Sequence, residues 1–360
     1  MAILFLCVSL FFSSFCPVVT EAANGCKCDQ LYEISARTKQ GLRFGFIDCK
    51  GKVVVEPKFL SVGDFSDGVA VVQLGEEVAA ERADGRRVVS GTYGIIDLNG
   101  FVTVVPNSIL FSSFSEGLSL ARVNGKFAYI DKTGVVAIAI PEKVEILDED
   151  YSSPEEFGFT DGVAGLKARD GGIYLVSREG KFTKEKAAPL RFDEQGLAIT
   201  EVNGAQAIVN KAGKYVFGPT QAELDSSEGI YWAVPKGGNQ KYTFLNPKGE
   251  VLFERRFEEI GYFHEGLMTV KKKGKWGFMD KGGVMKIAAG FTDAHDFSEG
   301  LAAVESGGKW GYVDRAGAIV VPAAFSSAGE FSCGLARVQG EGFDGYIDKK
   351  GNWIWKTTKS

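Results

Sequence analysis

Histidine is nearly absent: His264 and His295 are the only two in 360 residues. A metal site built on imidazole, or a Ser-His-Asp constellation, has almost nothing to draw on. The G-x-S-x-G nucleophile motif is missing as well. No Walker loop and no dinucleotide fingerprint occur. Positive charge is not in excess. Lys and Arg number 41 against 46 Asp and Glu, a formal net charge of −5, so no basic field exists for nucleic acid. Pro is scarce, at 10 residues. Beyond the N-terminus no apolar run approaches the ~20 residues that cross a membrane. Long helical faces are lacking too. Gly makes up 46 of the 360 residues, and each Gly in a helix interior costs about 1 kcal/mol relative to Ala.

The N-terminus is the exception to the missing apolar runs. MAILFLCVSLFFSSFCPVVTEAA is apolar from Ile3 to Cys16 and then turns to small residues, with Thr20 and Ala22 at a −3/−1 spacing. The apolar part is too short for a comfortable span and reads as a secretory signal peptide over 1–23, cut near Ala22 or Ala23. Its n-region has no Lys or Arg, and an uncleaved anchor is the alternative. The mature chain is then expected outside the cytosol: secreted, periplasmic or at the cell surface. Cleavage removes Cys7 and Cys16 and leaves Cys26, Cys28, Cys49 and Cys333. An even number in an oxidising compartment allows disulfides. Cys26 and Cys28 are two apart, so a bridge between them is strained and each is expected to pair elsewhere, for instance one with Cys49. A C-x-C pair without nearby histidines does not suit a metal, and no metal or other cofactor is expected.

At 360 residues the chain exceeds what one non-repetitive domain of about 250–300 residues usually holds. It is a repeat. GKWGFMDKGG at 274–283 returns 34 residues later as GKWGYVDRAG at 308–317. Taking the last residue of GFMD as an anchor, equivalent positions are Asp48, Asp97, Asp131, Ser177, Asn210, Asn246, Asp280, Asp314 and Asp348. Two intervals carry insertions, near 76–91 (EEVAAERADGRRVVSG) and near 142–154 (EKVEILDEDYSSP). A second anchor, F-[ST]-[DE]-G, confirms the register: FSDG at 65–68, FSEG at 114–117, FTDG at 159–162, FHEG at 263–266, FSEG at 297–300 and FSCG at 331–334. Weaker copies end at Gly196 and Gly229.

Each unit reads as β-structure. Strand A is KWGFMD or its equivalent. A turn follows, with Gly three residues after the anchor in all nine units. Asp, Asn and Ser at the anchor accept hydrogen bonds from backbone N–H groups just ahead, and Gly supplies the positive φ. Strand B follows, as in AIVVP at 318–322, often ended by a Pro that cannot donate to a ladder. A loop leads to the Phe-x-x-Gly corner. Strand C comes next, as in LARV at 335–338, and a tight turn such as Asn124-Gly125 returns to strand A. The expectation is nine three-stranded antiparallel meanders, C–A–B. A single meander cannot bury a core, so neighbours pack into a propeller-like ring or an open superhelical array. The domains are then a segment at 24–39 with the Cys pair and first strand, the array over 40–355, and a tail at 356–360.

KWGFMDKGG, KWGYVDRAG, FSEGLAAV, FSCGLARV and the fuller GFIDCKGKVVVEPKF resemble the WG repeat family, named for the Trp-Gly of strand A. The resemblance spans roughly 40–355, with the literal Trp-Gly only at Trp276-Gly277 and Trp310-Gly311. It implies an all-β repeat with a binding or surface role, and it carries no catalytic motif.

The candidate sites are few. The anchor acids read as turn formers, because Asn210, Asn246 and Ser177 share their place and cannot act as general bases. The acidic corner row of Asp67, Glu116, Asp161, Glu228, Glu265 and Glu299 is either a stripe that binds calcium or a basic partner, or a set of solvated or locally paired corner residues; Cys333 replaces the acid in the last corner. Trp276 and Trp310 are either a sugar-stacking platform or core. Trp353 and Trp355 share one side of a strand. The leading expectation is a non-enzymatic exported repeat protein that binds or scaffolds a protein partner. The alternative is a carbohydrate- or cell-wall-binding module, since GKWGYVD is similar to the GKWYY-like units of choline-binding cell-wall repeats, which have a shorter period. A propeller-type hydrolase is third and requires two carboxylates within about 10 Å in a pocket.

Overall fold

The computed structural model describes residues 30–75, 78–81, 87–110, 113–141, 144, 158–167, 173–185, 192–234 and 241–358. The signal segment at 1–23 and Cys26 and Cys28 lie outside the described residues. So does most of the insertion near 142–154. The described chain is all strands, arranged in small antiparallel sheets.

Unit eight shows the plan. Strand C (Leu301–Ser306) pairs with strand A (Lys309–Asp314), which pairs with strand B (Ile319–Phe325). A short lead strand, Asp293–Ala294, adds to the free edge of strand C. Units six to nine all have this fourth strand, while units one, four and five form three-stranded sheets. The C–A–B meander of the sequence is thus the core of each unit. In units six to nine the chain before the corner contributes the extra strand. Units two and three are fused: Val102–Leu110 pairs with Arg87–Asp97 through its first half and with Leu118–Val123 through its end. Part of the first insertion forms a hairpin, Val78–Glu81 against the start of Arg87–Asp97. The array runs past 355, since the last strand is Trp353–Thr358.

The first four residues of strand C are buried because they serve two cores. Leu301 and Ala303 join the cluster shared with unit nine, whereas Ala302 and Val304 join the one shared with unit seven. Alternate residues point to opposite sheet faces, and both faces here meet a neighbour. That is why strand C reads as a continuous apolar run rather than an alternating one. Tyr312 and Val313 of strand A divide in the same way. Clusters of this kind join units one to two, two to three and three to four. They also join five to six, six to seven, seven to eight and eight to nine. The connection from unit four to unit five, 186–191, lies outside the described residues.

The glycine of Trp-Gly has a steric cause. Strand B shifts register opposite it, and a Cβ on Gly311 would lie 2.5 Å from the Val321 carbonyl oxygen. Gly45, Gly277 and Gly345 meet strand B in the same way. No side chain fits where the two backbones touch.

The ends meet. Tyr32, Ile34 and Ile47 of unit one pack with Leu335 and Tyr346 of unit nine. Gly51, in the first A–B turn, lies against the backbone of Ile354. This contact repeats the one that Gly249 makes with the backbone of Val216 of the unit before it. Among the described residues the two ends of the array therefore meet, as they do in a propeller-like ring.

Candidate functional site

The anchor turns come first, since they carry most of the repeated acids. Asp280 Oδ1 accepts hydrogen bonds from Gly282 N at 3.0 Å and Val284 N at 2.9 Å, and Oδ2 pairs with Lys286 Nζ at 3.1 Å. Burial disfavours its charge, but the two N–H groups and the lysine outweigh that and hold the carboxyl below the ordinary Asp value. Asn210 Oδ1 makes the same pair of bonds, to Ala212 N and Lys214 N, both at 3.0 Å. An amide does the same work, so the work is closing the turn.

The corner row is more unusual. In Ser298-Glu299-Gly300-Leu301 the first and last residues form a bridge, and both central residues have positive φ, 52° at Glu299 and 86° at Gly300. This is a two-residue hairpin turn in which Gly, Asn or Asp is the comfortable choice for the first central position. Yet Glu takes the position at 116, 228, 265 and 299 (φ 46–53°), and Asp at 67 and 161. A residue type kept where its backbone is strained needs a compensating contact.

That contact lies between units. Glu228 accepts from Glu265 N at 2.7 Å and Gly266 N at 2.9 Å of the next corner. Glu265 in turn accepts from Gly300 N at 3.0 Å, and Glu299 from Gly334 N at 2.9 Å. Asp67 accepts from Gly117 N at 2.6 Å and Glu116 from Gly162 N at 3.1 Å. A cation completes the arrangement. It is the residue after the next unit's anchor: Lys281 Nζ lies 2.8 Å from the Glu228 carbonyl and 3.1 Å from its carboxylate. Lys349 reaches the Glu299 carbonyl at 2.9 Å and its carboxylate at 3.0 Å, and Arg178 does the same to Glu116 at 2.7 and 3.3 Å. Lys132 donates to the Asp67 carbonyl. We call this set a latch: the acid of one unit, with the Gly N–H and the cation of the next. Burial pushes the Glu228 carboxyl up, but Lys281 and the two N–H groups hold it below the ordinary Glu value. A carboxylate engaged on three sides has little left to offer a cation ligand. Asp161 occupies the same turn position at φ 52°.

The two indoles are half-buried. Lys271 Nζ stands 5.4 Å from the Trp276 ring, and the His295 ring packs 4.6 Å from Trp310. Trp310 also leans on the core between units eight and nine. His264 Nε2 lies 3.6 Å from Asp296 Oδ2, whose other oxygen accepts from Thr269 Oγ1 at 2.9 Å. Among the described residues, no three His, Cys, Asp or Glu side chains converge as metal ligands, and no helix is long and apolar enough to cross a membrane.

The seam between units nine and one carries a polar cluster. Arg337 forms a fork on Asp344, at 3.1 and 2.7 Å, and reaches Glu33 of unit one at 3.0 Å. The Asp344 carboxylate raises the Arg337 pKa further and keeps the guanidinium charged. Tyr346 Oη donates to the Glu33 carbonyl at 2.9 Å. Tyr32 Oη donates to the carbonyls of Ser332 and Cys333, both at 2.9 Å, and burial raises its pKa to about 12. Cys49 and Cys333 both lie against this seam. Sequence reasoning overlooked the cluster, although a signal was present: Asp344 stands at the strand A position of Trp276 and Trp310.

A further repeated feature is apolar and largely exposed. The residue five after the anchor, which opens strand B, is apolar in all nine units. Ile319 is 71 % exposed there, Val251 57 % and Tyr215 47 %, and Val53, Val136 and Trp353 are exposed as well.

The model of the WG containing repeat matches residues 44–77, 242–276, 276–310 and 310–342, so the chain carries WG repeats at those places. No curated protein matches the chain. Among solved structures, BamB from Moraxella catarrhalis is similar at 11 % identity, over 89 % of this chain and 98 % of that one, with a TM-score of 0.40. A eukaryotic initiation factor is similar at 10 % identity, over 81 % and 84 % of the two chains, with a TM-score of 0.46.

Proposed function

We propose that this ring of WG repeats is an exported, non-enzymatic protein that holds a protein partner on the apolar column opening each strand B. The single observation that carries this reading is that column. Scattered exposed apolar residues are ordinary on any surface. The same position is apolar in all nine units; Val102, Phe182 and Met285 lean on neighbouring cores, whereas Val53, Val136, Tyr215, Val251, Ile319 and Trp353 stay exposed, more than core packing asks of the position. The repeated acids have internal uses, in anchor turns and latches, which weighs against chemistry at either row. Export is supported by residues 1–23 and by the disulfide-bonded state of Cys49 and Cys333, which suits an oxidising compartment. The glycan-binding alternative draws on the half-buried Trp276 and Trp310.

Affinity capture from cell-envelope extracts tests the reading. The mature chain should retain a defined partner, and Val251→Asp with Ile319→Asp should lose it while Trp276→Ala with Trp310→Ala keeps it. Equal capture by the Asp variant, or retention on glycans that disappears with the Trp variant, overturns it.

A further inference from the structure

We infer that the ring is locked at a single place by oxidation, with Cys333 and Cys49 standing in for the acid and the cation of the latch used elsewhere. The repeat places them there. Cys333 holds the corner position of Asp67, Glu116, Glu228, Glu265 and Glu299, with the same left-handed φ of 51°. Cys49 follows the anchor Asp48, the position held by Lys132, Arg178, Lys281 and Lys349. By the rule that the acid of one unit meets the cation of the next, the corner of unit nine faces the anchor turn of unit one. Both cysteines pack against the seam cluster and both are disulfide-bonded. The donor that a latch lysine aims at the corner carbonyl is supplied here by Tyr32 Oη, on the Cys333 carbonyl. The seam thus keeps the latch's hydrogen bond and exchanges its ion pair for cystine.

The exchange has a physical reason. Every other interface whose latch is described joins units already tethered by the chain, so a partly exposed ion pair suffices. Units nine and one are linked only by contact. A covalent tie there removes far more conformational freedom from the opened state, because the loop it closes is the whole ring. Cystine forms when two thiols give up two protons and two electrons to a disulfide oxidant such as glutathione disulfide, which leaves as two thiols; a dithiol reverses the exchange. By the latch rule each of the two cysteines has the other as its partner, and that bond ties the two sides of the seam together. The inference stands whatever the ring binds.

Amide hydrogen exchange on the purified full chain, with and without dithiothreitol, is the test. Reduction should speed exchange in Tyr32–Ile47 and Leu335–Asp348 by about tenfold or more, and leave Leu267–Asp280 unchanged. Cys49→Ser with Cys333→Ser should exchange at the reduced rate under both conditions. Cys49→Lys with Cys333→Glu, which restores the latch of the other units, should be slower than the Ser pair and insensitive to reductant. Seam exchange that ignores reductant in the wild type overturns the inference. So does a Lys–Glu variant as open as the Ser pair, or a non-reducing peptide map that finds Cys49 and Cys333 as free thiols.

Discussion

The interface between units seven and eight and the one between units five and six do the same job with different parts. At the first, Leu267, Phe278, Phe297, Ala302, Val304 and Val313 fill the core, and Glu265 latches to Gly300. At the second, Leu197, Ile208, Leu224, Tyr231, Ala233 and Leu245 fill the core, but the latch is gone. Gln195 stands in the acid's place, Pro247 in the cation's. The corner becomes an Asp-anchored turn, in which Asp193 Oδ1 accepts from Gln195 N at 2.8 Å and Leu197 N at 3.0 Å. Tyr231 Oη then donates to the other Asp193 oxygen. Even the Trp-Gly glycine has moved. Ala207 fills its place on strand A, and the close approach falls on Gly218 of strand B, where a Cβ would meet the Gln206 carbonyl at 2.8 Å. The comparison separates what the ring needs from what it prefers. Two-faced apolar strands are kept at both interfaces; the polar hardware is interchangeable.

Core substitutions should therefore hurt both interfaces most. Phe297→Ala, which removes a buried ring 4.8 Å from Phe278, should cost about 3–5 kcal/mol, and Leu224→Ala about 2–5 kcal/mol, by denaturant unfolding. A small loss at Leu224 would show that the middle of the ring is held by something other than its core. Acid should come next, because several carboxylates titrate together. Asp131, Glu228, Asp280 and Asp348 are all held below their ordinary values. A folded-state pKa below the unfolded one gives stability that is present above the ordinary carboxylate range and lost as pH falls through the lowered value. Unfolding midpoints should hold down to about pH 4.5 and fall below it.

A latch swap sharpens the contrast further. Glu265→Gln should cost about 1 kcal/mol, and Gln195→Glu with Pro247→Lys should recover part of that amount at the middle interface. No gain in the swap would mean that the Asp193 turn has displaced the corner too far for a latch. Asp280→Asn should change stability least, by about 0.5 kcal/mol or less, since Asn246 makes the same two backbone bonds at 2.9 and 3.0 Å.

The nine anchors and the Phe-x-x-Gly corners were readable because their glycines recur at fixed distance and their turn chemistry is local. Strand C was readable as a strand, but its two-sided burial follows only from having a neighbour on each face. The lead strands escaped notice because two residues such as Asp293-Ala294 carry no period. The latches escaped because Glu228 and Lys281 lie 53 residues apart, and only the stacking of units makes them neighbours. A trace existed in the strain: a Glu held repeatedly at a position suited to Gly or Asn has a reason beyond its own turn.

Each latch also has a direction, since the acid always belongs to the earlier unit and its partners to the later one. Among separate subunits such a contact would be called heterologous, head to tail, and it ends either in a closed ring or in an open filament, depending on the rotation per step. This chain is the single-polypeptide form of such an assembly, so the number of units is a condition of closure rather than a measure of stability. A chain shortened by one 34-residue period would keep sound interfaces along its length and lose the match between its ends. Two such chains could then satisfy each other, and a monomer would become an oligomer without any change in its interface chemistry.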